Sequence, residues 1–238
     1  MDKKVVVKTI KKVIVCKNGP YLVKGDLPLE KEISTIGKEG EPEKWVKGEK
    51  YPKQSSYVLC RCGKSKNPPY CDGTHKKINF DGKETASRKS YSDQSDKFAG
   101  PDLDLTDQKN LCARARFCHL SGGTWNNVQN SDDPKAKKIA IQTACNCPSG
   151  RLVVWDKKTG KQIEPKLKPE VSLIEDPQLK VSGPIWLKGG ISLESEDGRK
   201  YETRNRVTLC RCGQSKNKPF CDGSHINAKF NDGDETLK

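Results

Sequence analysis

The sequence predicts an α+β, β-rich chain. Two small β units, residues 1–85 and 166–238, are related by a pseudo-two-fold axis and flank a linker and small α+β domain at 86–165. Three observations carry this reading. The stretch "CRCGKSKNPPYCDGTH" at 60–75 returns as "CRCGQSKNKPFCDGSH" at 210–225. A second echo precedes each copy, "NGPYLVKG" at 18–25 and "SGPIWLKG" at 182–189. The apolar fraction is only 32% against 32% charged, with 20 Gly and 14 Pro, so a large oily core is out of reach and loop-rich modules need staples.

In each half a Gly-Pro turn leads into a short apolar run closed by Lys-Gly, which reads as a strand between turns. "CRC" follows Gly25 by 35 residues but Gly189 by only 21. The first half therefore carries one extra loop, assigned to "IGKEGEPEKWVKGEKYP" at 36–52. The runs "SSYVLC" and "NRVTLC" enter the first cysteine of each motif as strands, and "HKKINF" and "HINAKF" leave it through a brief helical turn. Two such units in one chain would pack as a homodimer does.

Residues 82–100 read as a polar linker, ordered only in part. Beyond it, Thr106 or Asp107 is a candidate helix N-cap. "DDPKAKKIAIQTAC" at 132–145 reads as a helix, with Pro134 in its first turn. "RLVVW" and "KQI" around "KKTG" read as a hairpin, and "EPKLKPEVSLIEDP" at 164–177 as a Pro-punctuated connector.

Eleven cysteines invite a disulfide reading, but "MDKKVVVKTIKKVIV" has lysines inside its apolar run, unlike a secretory signal, and no stretch has the length of a membrane span. A reduced, cytoplasmic compartment is expected, where clustered Cys and His serve as ligands. The spacing Cys-x-Cys, eight residues, Cys-x3-His gathers Cys60, Cys62, Cys71 and His75, and again Cys210, Cys212, Cys221 and His225. Cys and His four apart lie one helical turn from each other and face the same atom. Three thiolates and an imidazole suit a tetrahedral zinc ion. They equally suit a [2Fe–2S] cluster with two donors on each iron, and the donors alone do not choose.

The pattern C-x-C-x2-S-x3-P-x-C-D-G-(S/T)-H resembles the CDGSH iron–sulfur (mitoNEET-like) family. Cys60, Cys62, Ser65, Pro69, Cys71, Asp72, Gly73, Thr74 and His75 match it, as do Cys210, Cys212, Ser215, Pro219, Cys221, Asp222, Gly223, Ser224 and His225. The resemblance implies one [2Fe–2S] cluster per motif and a tandem member with a large insertion. With histidine as the replaceable ligand, both clusters are expected to be lost as pH falls through the weakly acidic range.

The insertion holds "CARARFC" and "CNCPSG". Ala115 stands where a C-x2-C-x2-C ferredoxin run has its middle cysteine, leaving Cys112, Cys118 and Cys147. This resembles divergent single-cluster ferredoxin-like domains and implies a [3Fe–4S] cluster, or a [4Fe–4S] cluster if Cys145 or His119 supplies a fourth ligand. Cys16 has no partner at ligand spacing and reads as a core thiol.

The formal charge is +14. Oxidised clusters would lower it to about +10, since each [2Fe–2S] site adds about −1 and a [3Fe–4S] site about −2. A basic carrier favours acidic redox partners of ferredoxin or flavodoxin type, or apo iron–sulfur acceptors. The expectation is a non-enzymatic electron-transfer protein and a monomer with an internal pseudo-dimer. Cluster storage, transfer or sensing is the second reading, and a zinc-stapled nucleic-acid binder the third. No phosphate loop or dinucleotide fingerprint is present.

Overall fold

The computed structural model describes residues 10–238. Its strands are β1 (Lys12–Val15), β2 (Tyr21–Lys24), β3 (Leu29–Ile36), β4 (Pro42–Lys50), β5 (Ser56–Leu59), β6 (Asp96–Ala99), β7 (Leu103–Asp107), β8 (Leu152–Asp156), β9 (Lys161–Ile163), β10 (Glu170–Asp176), β11 (Val181–Lys188), β12 (Ser192–Ser195) and β13 (Arg206–Leu209). The helices are α1 (Thr74–Lys77), α2 (Thr124–Gln129), α3 (Pro134–Cys145) and α4 (Ser224–Asn227). The chain is β-rich, as the sequence predicts, and among the described residues no helix is long and apolar enough to cross a membrane.

The two β units are built by strand exchange. β1 and β2 form a hairpin, and β10 and β11 form its counterpart. The next strand of each unit leaves for the other: β3 lies parallel to β10, with Leu29 opposite Val171, and β12 lies parallel to β1, with Leu193 opposite Val13. The sheets run β12-β1-β2-β5 and β13-β11-β10-β3-β4. Their inward residues make one core from both halves, including Val13, Tyr21, Leu29 and Leu59 from the first and Val171, Ile185, Leu193 and Leu209 from the second. Neither half has enough apolar surface for a core of its own, and sharing one solves the shortage.

Two elements differ from the expectation. The extra sequence of the first half is not a loop: 42–50 forms β4, paired antiparallel to β3. Trp45 on this strand packs against Phe117 and Trp186, at ring distances of 4.6 and 5.4 Å, and donates to the Asn146 carbonyl at 3.0 Å. β4 is thus the wall on which the inserted domain docks. The connector at 164–177 is likewise strand from Glu170 onward, because "EVSLIED" lies buried between β11 and β3.

The inserted domain is a four-stranded antiparallel sheet, β6-β7-β8-β9, covered by α2 and α3. α3 starts where expected, with Asp133 accepting from Lys135 and Ala136 N–H. Thr106 and Asp107 cap no helix. They end β7, whose "LDLTD" follows the period of two, and Asp107 is buried in a pair with Arg151 at 2.6 Å. The preceding linker clamps onto the second motif: Thr85 and Ala86 N–H both donate to the Lys218 carbonyl, at 2.8 and 2.9 Å.

Candidate metal centres

Each repeated motif is a loop tied at both ends to the strand that enters it. Cys60 N–H donates to the Pro69 carbonyl at 2.8 Å and Cys71 N–H to Val58 at 3.1 Å. In the second copy Cys210 N–H reaches Pro219 at 2.8 Å and Cys221 N–H reaches Thr208 at 2.9 Å. The Asp of each motif is the local organiser. Asp72 accepts from Lys66 N–H at 2.8 Å and Thr74 N–H at 2.9 Å, so these donors hold its carboxyl far below the usual carboxylate range. Asp222 repeats this with Lys216 and Ser224 N–H. Gly73 and Gly223, at φ 86° and 84°, take the left-handed turn that starts α1 and α4 with the histidine in the first turn.

The donors pair two by two. Cys60 Sγ lies 3.7 Å from Cys62 Sγ, and Cys71 Sγ lies 3.3 Å from His75 Nδ1. In the second motif the distances are 3.8 Å for Cys210 and Cys212 and 3.5 Å for Cys221 and His225. A single tetrahedral zinc ion needs all its donors about 4 Å or less from one another. Among the described residues, the one group of three Cys, His or acidic donors mutually within 4.8 Å is Glu30, Glu32 and Glu170. Those carboxylates already meet Lys47 and Lys188.

Burial opposes free thiolates here. It pushes Cys62 up to about 11 and Cys221 well above its ordinary value. Cys210 moves down to about 7 because Cys212 hydrogen-bonds to it. Buried thiols at these distances repel one another once ionised, and a metal centre relieves that repulsion by binding them as thiolates. The donor sets fit such a centre.

The two motifs stand back to back. A Cβ on Gly63 would lie 2.6 Å from the Cys212 carbonyl oxygen, and one on Gly213 would lie 2.6 Å from that of Cys62. Gly63→Ala is therefore expected to destabilise the protein by about 1–3 kcal/mol, through φ 70° and the clash together. Gly40→Ala, at φ 78° with open space around it, is the control in thermal unfolding. Equal midpoints for the two variants would refute the tight apposition.

The motifs are not equivalent. His225 is 5% exposed, and burial pushes its imidazole down to about 4. His75 is only half-buried. The sequence expectation, loss of both centres through the weakly acidic range, does not contain this difference in exposure between the two histidines.

In the inserted domain, Cys112, Cys118 and Cys147 line one cavity of about 410 Å3, with Phe117, Trp125 and Leu152 among its apolar walls. Burial, then Cys147 and Cys112, push the Cys118 thiol up to about 12. The two fourth-ligand candidates separate. Cys145 Sγ turns away to the Ile163 carbonyl at 3.6 Å. His119 sits at the cavity, but its side chain is 57% exposed with Nδ1 3.8 Å from Glu41. Cys16 is partly buried, with its carbonyl accepting from Arg61.

Sequence reasoning missed the residue that holds this site to the rest. Arg206, fully buried on β13, donates to the carbonyls of Ala144 at 2.5 Å, Cys147 at 2.7 Å and Leu152 at 3.2 Å, and pairs with Glu164. It closes the C-terminal end of α3, where unpaired carbonyls favour a cation. No local pattern in "TRNRVTLC" marks it, because all these partners lie at least 42 residues away.

Comparison with known families agrees with this geometry. The family described as iron-binding zinc finger CDGSH type matches residues 18–76 and 182–226, and the divergent 4Fe-4S mono-cluster family matches 98–157. No curated protein and no solved structure matches the chain. With paired donors in both repeats and a three-cysteine cavity between them in sequence, the chain carries two segments of the CDGSH-type iron-binding family, in tandem, with a segment of the divergent 4Fe-4S mono-cluster family as the insert between them.

Proposed function

We propose that the protein is a non-enzymatic iron–sulfur electron carrier. Cys60, Cys62, Cys71 and His75 hold one [2Fe–2S] cluster, and Cys210, Cys212, Cys221 and His225 hold another. Cys112, Cys118 and Cys147 hold a third cluster of [3Fe–4S] type. The observation that carries this reading is the two-by-two pairing of donors in both motifs, which suits two irons and not one tetrahedral ion. Such groups supply one-electron exchange when bound. The chain's own part is to supply thiolates, shield them from water and set three sites within one fold. Its excess of lysine and arginine, 45 against 31 acidic residues, favours acidic redox proteins as partners.

His119 at the central cavity supports a [4Fe–4S] centre as the second reading for that site. Cluster donation to an apo iron–sulfur protein is the second reading for the whole, supported by the water-accessible His75 of the first motif. Anaerobic purification with iron, zinc and sulfide analysis, followed by EPR before and after reduction, tests all of these. The expected result is iron with matching sulfide, a signal in the oxidised protein from the central site and further signals on reduction. A colourless protein with stoichiometric zinc would overturn the proposal. Silence in the oxidised state would move the central site to [4Fe–4S].

A further inference from the structure

The insertion covers one motif and leaves the other open. Arg114, on the loop between Cys112 and Cys118, lies across Gly223, where a Cβ would sit 2.5 Å from its Cγ and 2.7 Å from its Cδ. Ile226, next to His225, forms part of the wall of the central cavity. A Cβ on the equivalent Gly73 would meet nothing within 4 Å.

The copies also differ in charge on this face, and at Ile226 the change goes with cover by the insert. Lys64, Lys76 and Lys77 of the first motif stand where the second has Gln214, Ile226 and Asn227. Together with Lys66 they are exposed, as is Ile78 at 47%. Among the described residues none of these four lysines has a carboxylate partner within salt-bridge distance. The acid of this face, Asp72, is engaged by Lys66 and Thr74 N–H. Four lysines free of carboxylate partners and an exposed isoleucine on one motif suit an acidic partner, which they would attract over about a Debye length and seat by apolar contact.

We propose that the face of the first motif carrying Lys64, Lys66, His75, Lys76, Lys77 and Ile78 is the docking surface for an acidic redox protein, while in the second motif the inserted domain covers His225 and the matching face lacks three of these lysines. This rests on the reading of the motifs as redox sites.

The test is calorimetric titration of the metal-loaded full chain with oxidised flavodoxin, an acidic redox protein, at low and high salt. Salt-sensitive association is expected. The variant K64E/K66E/K76E/K77E should weaken it about tenfold or more and flatten the salt dependence, whereas K216E/K229E beside the second motif should change it less than about twofold. Should the charge-reversed variant fail to load metal, K76Q/K77Q is used, with an expected loss of about threefold. Equal weakening by both sets, or no salt-sensitive association, overturns the docking surface. Iron, sulfide and bleaching by dithionite are measured on the same preparations. Normal loading with unchanged binding overturns the docking surface alone, and iron-free protein overturns the underlying reading with it.

Discussion

Replacing Arg206 by methionine is expected to destabilise the protein by about 3–5 kcal/mol and to strip the central site of its metal. The guanidinium is fully buried, so its loss removes the cation paired with Glu164, which keeps only Asn205, and a donor from the carbonyls of Ala144, Cys145, Cys147 and Leu152. Cys147 follows α3 by two residues, so loosening that turn moves one of the three proposed ligands directly. Arg206→Lys should recover only part of the loss, because an ammonium cannot span the carboxylate and four carbonyls as a planar fork does. Denaturant unfolding followed by circular dichroism gives the energy, and iron content gives the loading. A loss below about 1 kcal/mol with full iron would show that β13 does not hold the insert in place.

On acidification the two motifs are expected to part company, the first releasing its metal before the second, because solvent reaches the half-buried His75 while His225 is covered. Burial holds His225 down to about 4, so its neutral, ligating form persists to lower pH. The sign follows from proton counting. Between the ordinary histidine range near 6.5 and about 4, the unfolded chain binds a proton that the folded one refuses. Stability from His225 is therefore fully present above that window and is lost as pH falls through it, on the order of 3 kcal/mol. Visible circular dichroism across the acidic range should show two steps. His75→Cys should remove the earlier step and His225→Cys the later one. One shared transition in the wild type would refute the inequivalence.

The local chemistry was legible in the residues themselves. Cys-x-Cys and Cys-x3-His place donors within one loop and one helical turn, and the Asp between them caps that turn. The helix with Pro134 in its first turn and the hairpin around "KKTG" are equally short-range. Signals read as turns and caps misled where tertiary pairing prevailed. Thr106 and Asp107 have capping side chains, yet one receives the Tyr91 hydroxyl and the other the Arg151 guanidinium, both inside a strand pairing. The Gly- and Glu-rich "IGKEGEPEKWVKGEKYP" reads as a loop by composition, yet it gains β3 as a pairing edge and the insert as a partner for Trp45.

The sequence by itself determined which side chains can bind metal and that they come in two matched sets with a third between, because donors a few residues apart are brought together by the local backbone alone. Only the tertiary structure decided that the halves exchange β3 and β12, that Cys145 faces away from the central cavity, that Arg206 ties the insert to β13, and that His225 is covered while His75 meets water. Those outcomes depend on contacts between residues 59 to 180 positions apart. They are set by how two apolar-poor halves must share one core, and no short stretch of the sequence carries that constraint.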